Sequence, residues 1–173
     1  MKKSDINPMP EFFDRYINLV EDIDIFVAFE KYAPEKVYTE IEKLTALENK
    51  IYAPGKWTIK DILQHVIDNE RIMAYRALRF SRNDDTVLPG YEESLWAANT
   101  IANKRSVTDL MEEFSFVRKT TELLYTNMDN EMILRSGVAY KSEISALALG
   151  FVIIGHAMHH MNIIAERYFP LLK

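Results

Sequence analysis

Residues 144–155, ISALALGFVIIG, would be apolar on every side of the helix they form, and three of the chain's four histidines follow at once in GHAMHHMN, residues 155–162. A helix with no polar face has to be buried on most sides, so its neighbours must also be long and carry apolar stripes. The sequence supplies them. Residues 10–30 carry Phe12, Phe13, Tyr16, Leu19, Val20, Ile23 and Val27 at spacings of three and four, which predicts a first helix. Pro34 permits a restart, and residues 36–47 read as a shorter helix with Val37, Ile41 and Leu44 inward. Thr58 with Asp61 three positions on is a capping signal for a helix over 59–80, whose inner face includes Ile62, His65, Val66, Ile72 and Met73. Ser106 with Asp109 opens another to about 127, with Leu110, Phe114, Val117 and Leu124 as its stripe. The last helix is expected from Ser142 to Tyr168, stopping before Pro170.

Between these, residues 81–91 (SRNDDTVLPGY) have turn chemistry and no apolar period, residues 92–99 read as a short helix, and residues 129–141 as a loop. No strand pattern of convincing length competes. The fold class expected is all-α: an up-down four-helix bundle with short auxiliary helices, as one domain over residues 1–173. A length of 173 residues with 48% hydrophobic content supports one sizeable core.

Composition also excludes. With no cysteine there is no disulfide framework, thiolate ligand or cysteine nucleophile, which fits a cytoplasmic protein. The net charge of -5, with both signs mixed along the chain, argues against a nucleic-acid-binding face. The start lacks a signal-peptide core, and the apolar run at 144–155 is short of the roughly 20 residues a membrane span needs.

The histidines carry the chemistry. At about 100° per residue, His156 and His160 lie one turn apart and about 40° around the helix, so both rings can meet one ion, with His159 at their edge. A third ligand can come only from His65, mid-helix on a face assigned to the core, or from a carboxylate. The competing reading is a set of core imidazoles satisfied by hydrogen bonds, a common role for a lone buried histidine.

WTIKDILQHVIDNE (57–70), PGYEESLWAAN (89–99) and GHAMHH (155–160), in this order, resemble the DinB/YfiT-like superfamily of metal-binding four-helix proteins. The resemblance runs from about Trp57 onward. It implies a metal triad of His65, His156 and His160, and Tyr91, Glu92 and Trp96 stand where relatives carry a Tyr-acid-Trp loop that can lie over the metal or pack on the bundle. The chain departs from its relatives after the last ligand, reading Met161-Asn162-Ile163 where many have Gly-Gln. The ferritin-like di-iron pattern fails for want of Glu-x-x-His, and four histidines are too few for hemerythrin.

Three neutral imidazoles suit a divalent cation, Zn or Ni first, and leave a coordination position open. Such an ion can acidify water for hydrolysis or deprotonate a small thiol. The resemblance favours the second, because relatives include S-transferases that use bacillithiol-like low-molecular-weight thiols, and it implies a homodimer. The expected function is thus metal-dependent transfer of such a thiol to an electrophilic small molecule, set against a metal-dependent hydrolase and a non-catalytic binding bundle. Asp61, Asp68 and Asn69 lie near the face of His65 and are candidates to orient it, against simple solvation of the helix surface. Glu70, turned about 140° from His65, fits a salt bridge with Arg71 or a neighbouring helix rather than a catalytic base, and Trp57 fits core packing.

Overall fold

The computed structural model describes residues 1–172. Its helices are α1 (Asp14–Ile17), α2 (Ile25–Lys31), α3 (Pro34–Val37), α4 (Ile41–Ala46), α5 (Ile59–Ser81), α6 (Glu93–Ala98), α7 (Val107–Thr126), α8 (Asn130–Leu134) and α9 (Ala146–Arg167), with a hairpin of β1 (Ser136–Ala139) and β2 (Ser142–Ser145) before α9. The arrangement is a four-helix bundle. The long helices α5, α7 and α9 supply three positions, and the N-terminal helical segments pack along α9 in the fourth.

Two of the long helices begin where the sequence signals. Thr58 accepts from the Asp61 amide while Asp61 accepts from the Thr58 amide, and Ser106 and Asp109 repeat the exchange at α7. Helix α9 is buried without interruption from Ala146 to Ala157, as a helix apolar all round must be. Extended to Leu171 it is long and apolar enough to cross a membrane, which the run at 144–155 alone is not, but 72% of its apolar window is buried inside the bundle.

Three expectations are corrected. The helix over 10–30 is broken: α1 and α2 are separated by turns, Asp24 caps α2 by accepting from the Phe26 amide, and Phe12 has a left-handed φ of 72°. Ile17, Val20, Ile25, Ala28 and Phe29 are buried, whereas Phe12, Leu19 and Val27 of the single assumed stripe are exposed. The helix over 36–47 is split into α3 and α4 around Tyr38, whose buried hydroxyl donates to the Ala157 carbonyl at 2.9 Å. That bond to α9 overrides the helical period. Residues 129–145 hold α8 and a hairpin, so α9 starts four residues late, capped by Ser145. The strands are four residues each, and Gly137 admits the Phe80 ring where a Cβ would stand 2.2 Å from it.

Gly155 has a packing role of the same kind. A Cβ there would stand 2.0 Å from the Tyr16 carbonyl oxygen, so the close approach of α1 to α9 depends on the missing side chain. Backbone cannot give way as a flexible side chain can. Gly155→Ala is expected to cost about 1–3 kcal/mol in chemical denaturation, and an unchanged midpoint would show that α1 does not need this contact.

Candidate metal centre

Helix α5 presents His65 to α9, which presents His156 and His160 one turn apart. The Nε2 atoms of His65 and His156 lie 3.1 Å apart, as do those of His160 and His156. One potential ligand atom from each ring falls within 4.8 Å of the others. His65 and His156 are buried and His160 is half-buried.

The protonation chemistry of this cluster points to a cation. Burial drives all three rings towards the neutral form, His65 to about 4, His160 to about 3 with help from its imidazole neighbours, and His156 well below the ordinary histidine value. A neutral imidazole nitrogen has either one hydrogen or one lone pair in the ring plane. The His156 Nε2 therefore cannot serve both neighbours at 3.1 Å by hydrogen bonding. Three lone pairs directed at one ion resolve the conflict, and three nitrogen ligands fit a borderline divalent metal.

His159 is not part of this set. Its ring packs edge-on against Tyr16, with centroids 5.3 Å apart, and Tyr16 also packs edge-on against His156 at 5.2 Å. Gly155, by admitting the α1 backbone, thus puts an aromatic ring over the α9 imidazoles. Trp57 has a larger part than core packing. Its ring centroid is 4.9 Å from that of His65, and it is held by the Tyr168 hydroxyl donating to its carbonyl at 2.5 Å.

The groups proposed to orient the ligands are placed elsewhere. Asp61 is spent on Thr58 and Asn103, and Asp68 on Gln64 and Arg71. Asn69 is buried and its Nδ2 donates to the Tyr91 hydroxyl at 2.8 Å, while its Oδ1 has no partner among the described residues. No hydrogen bond among the described residues joins any of the three to an imidazole. Tyr91 stacks obliquely on Trp96 with centroids 4.7 Å apart, and burial raises its phenol to about 12. Glu70 is bound by Arg118 of α7, the neighbouring-helix partner expected of it.

A cavity of about 310 Å³ opens beside His160, walled by Trp57, Ile62, Ile163 and Tyr168, with Lys56 and Ser94 adding polar groups. A larger, more open groove of about 750 Å³ between α5 and α7 does not include the histidines. The smaller cavity is the one whose wall includes a candidate ligand.

A family model described as the DinB superfamily matches residues 33–164. Among solved structures, YfiT from Bacillus subtilis, described as a probable metal-dependent hydrolase with an unusual four-helix bundle topology, matches with a TM-score of 0.75 at 16% sequence identity, over 87% of this chain and 91% of that one. No curated protein matches the sequence.

Proposed function

Because the chain belongs to the DinB superfamily, we propose that His65, His156 and His160 hold a divalent metal ion, Zn or Ni, and that the protein transfers a low-molecular-weight thiol to an electrophilic small molecule in the cavity beside His160. The observation that carries the metal is the convergence of three neutral imidazole nitrogens on one point, with His156 Nε2 unable to satisfy both neighbours. Held by three neutral ligands, such an ion keeps most of its charge and acts as a Lewis acid that acidifies a bound thiol or water.

The protein's own groups supply position and apolar surface. Trp57, Ile62 and Ile163 give the cavity an apolar wall, which suits a non-polar electrophile. Lys56 offers the cavity's positive charge, which draws an anionic thiol towards His160. No carboxylate lines this cavity among the described residues, so no side-chain carboxylate is at hand there as a general base.

Hydrolysis at the same site is the second reading, supported by the likeness in fold to a protein described as a probable metal-dependent hydrolase. One assay separates the two. Protein dialysed against Zn or Ni is expected to consume a small thiol in the presence of 1-chloro-2,4-dinitrobenzene or a maleimide-type acceptor above the uncatalysed rate, and to stop with chelator. Turnover of an activated ester without any thiol would instead favour hydrolysis, and thiol consumption indifferent to chelator would remove the metal from the mechanism.

A further inference from the structure

Helix α5 carries a second buried cationic group that the histidine cluster does not use. Arg76 is 5% exposed, and no carboxylate among the described residues pairs with it. Its Nη2 donates to the Pro89 carbonyl at 2.9 Å and its Nη1 approaches the Met73 sulfur at 3.6 Å. Of five donors, one has a good acceptor and one a weak acceptor, and the charge has no counterion. The contrast is Arg118, buried to the same degree and gripped by Glu70 through both Nε and Nη2. Burial pulls the Arg76 guanidinium below its ordinary range, the reverse of what a neighbouring carboxylate would do. The donors of Arg76 that have no protein acceptor are open to the cavity it lines, where an anion can replace water as their partner.

Arg76 lines a cavity of about 330 Å³ together with Tyr91, Met73, Phe12, Phe13 and Tyr140. Two of these aromatics sit in turns with left-handed φ. The non-glycine residues with left-handed φ among those described are Phe12 at 72°, Asn83 at 61° and Tyr140 at 58°. Tyr140 is the first residue of the two-residue turn between β1 and β2, where a hairpin calls for positive φ, and Phe12 lies in the turn that leads into α1. Phe12 and Tyr140 are 59% and 63% exposed, and both line this cavity.

The charge balance specifies the ligand. Glu93 and Lys141 also line the cavity with one charge of each sign, so with Arg76 the lining carries a net positive charge, and burial raises the Glu93 carboxyl above its ordinary value. Tyr91 also lines the cavity, and its hydroxyl pairs with the Asn69 side-chain amide at 2.8 Å. One guanidinium beside a phenol hydroxyl, with apolar rings opposite, matches one carboxylate on an apolar body. A phosphate dianion would bring one negative charge too many.

We infer that this cavity binds a small monocarboxylate with an aromatic or aliphatic body, its carboxylate on Arg76 and Tyr91 and its body against Phe12, Phe13 and Tyr140. The site does not depend on a metal at the histidines.

The test is calorimetric titration of 3-phenylpropionate, with 3-phenylpropanamide as its neutral counterpart and inorganic phosphate as the competing anion, at constant ionic strength. Chelator-treated and Zn-dialysed protein are run side by side, so that a carboxylate captured by metal is recognised by its disappearance with chelator. Wild type is expected to bind the acid in both states at one site per chain, roughly tenfold or more tighter than the amide, as a charge-assisted contact predicts. Arg76→Gln should abolish that preference and melt no lower than wild type, because it removes an uncompensated charge. Lys141→Glu, at an exposed position, should weaken the acid about threefold and leave helicity unchanged. Equal affinity for acid and amide, binding only in the Zn-dialysed protein, tighter binding of phosphate, or an Arg76→Gln that keeps the preference would each overturn the inference. Should Arg76→Gln lose its helicity, an acid affinity unaltered in Lys141→Glu would overturn it as well.

Discussion

Untagged wild-type protein dialysed against excess Zn or Ni is expected to retain about one ion per chain by elemental mass spectrometry, and His160→Ala to retain little under the same treatment, because one of three ligands is gone. Removing a group that only orients a ligand costs roughly 10–100-fold in metal affinity, so removal of a ligand should exceed the upper end of that range. His160 is the informative choice. It is half-buried, so truncation opens less of a void than at His156, which is 4% exposed and sits between the other two rings. His159→Ala is the control. Its ring faces Tyr16 and lies outside the 4.8 Å cluster, so this variant should keep the full ion. Chelator should leave the far-UV circular dichroism of wild type intact at room temperature, since two extended apolar clusters hold the bundle without the histidines. Retention of the ion by His160→Ala would displace the proposed site, and melting by chelator would make the metal structural.

The sequence made the site more legible than the chain around it, and the reason is physical. A pair of imidazoles one turn apart is fixed by helix geometry alone, and the fully apolar run preceding it requires burial, so the positions of His156 and His160 followed from two local rules. The third ligand stayed open between His65 and a carboxylate on the residues alone, and it was the resemblance that implied His65. What stayed hidden depends on contacts distant in sequence. The break at Tyr38 follows from a hydrogen bond to Ala157, 119 positions away, and the Gly155 contact involves a carbonyl on another element. The hairpin of β1 and β2 has strands too short to show a period. Trp57 packs on the core as read, but nothing local says that its ring also meets His65. Asp61, Asp68 and Asn69 were close to His65 along the helix, yet their partners are a cap, a surface pair and a tyrosine. Adjacency on a helix face put them near the ligand without directing their polar atoms at it.

The pair of Glu70 and Arg118 is expected to dominate the stability of the bundle's interior. Both side chains are 2% exposed, with Arg118 Nε and Nη2 each donating at 3.0 Å to a different Glu70 oxygen, and Nη1 donating to the Tyr32 carbonyl at 3.0 Å. The guanidinium lies 5.6 Å from the ring centres of both Phe29 and Phe114, so little water can replace either partner. Arg118→Met should cost about 3–5 kcal/mol in chemical denaturation, because it leaves the Glu70 carboxylate buried without a counterion and the Tyr32 carbonyl without its donor. That is a large share of the roughly 5–15 kcal/mol that typically separates folded from unfolded chains. The double variant Glu70→Leu with Arg118→Met should recover most of the loss, since a well-packed apolar pair of similar volume is often neutral or better. The comparison separates two roles. If the pair serves stability alone, the double variant behaves as wild type throughout. If it also fixes how α5 lies against α7 and the end of α2, the double variant regains its denaturation midpoint while its metal affinity falls, because Glu70 stands five residues beyond His65 on the same helix and a shift of α5 carries that imidazole out of reach of the other two. A double variant as unstable as Arg118→Met would show that the arginine acts mainly through its Tyr32 contact and its packing between the two phenylalanine rings.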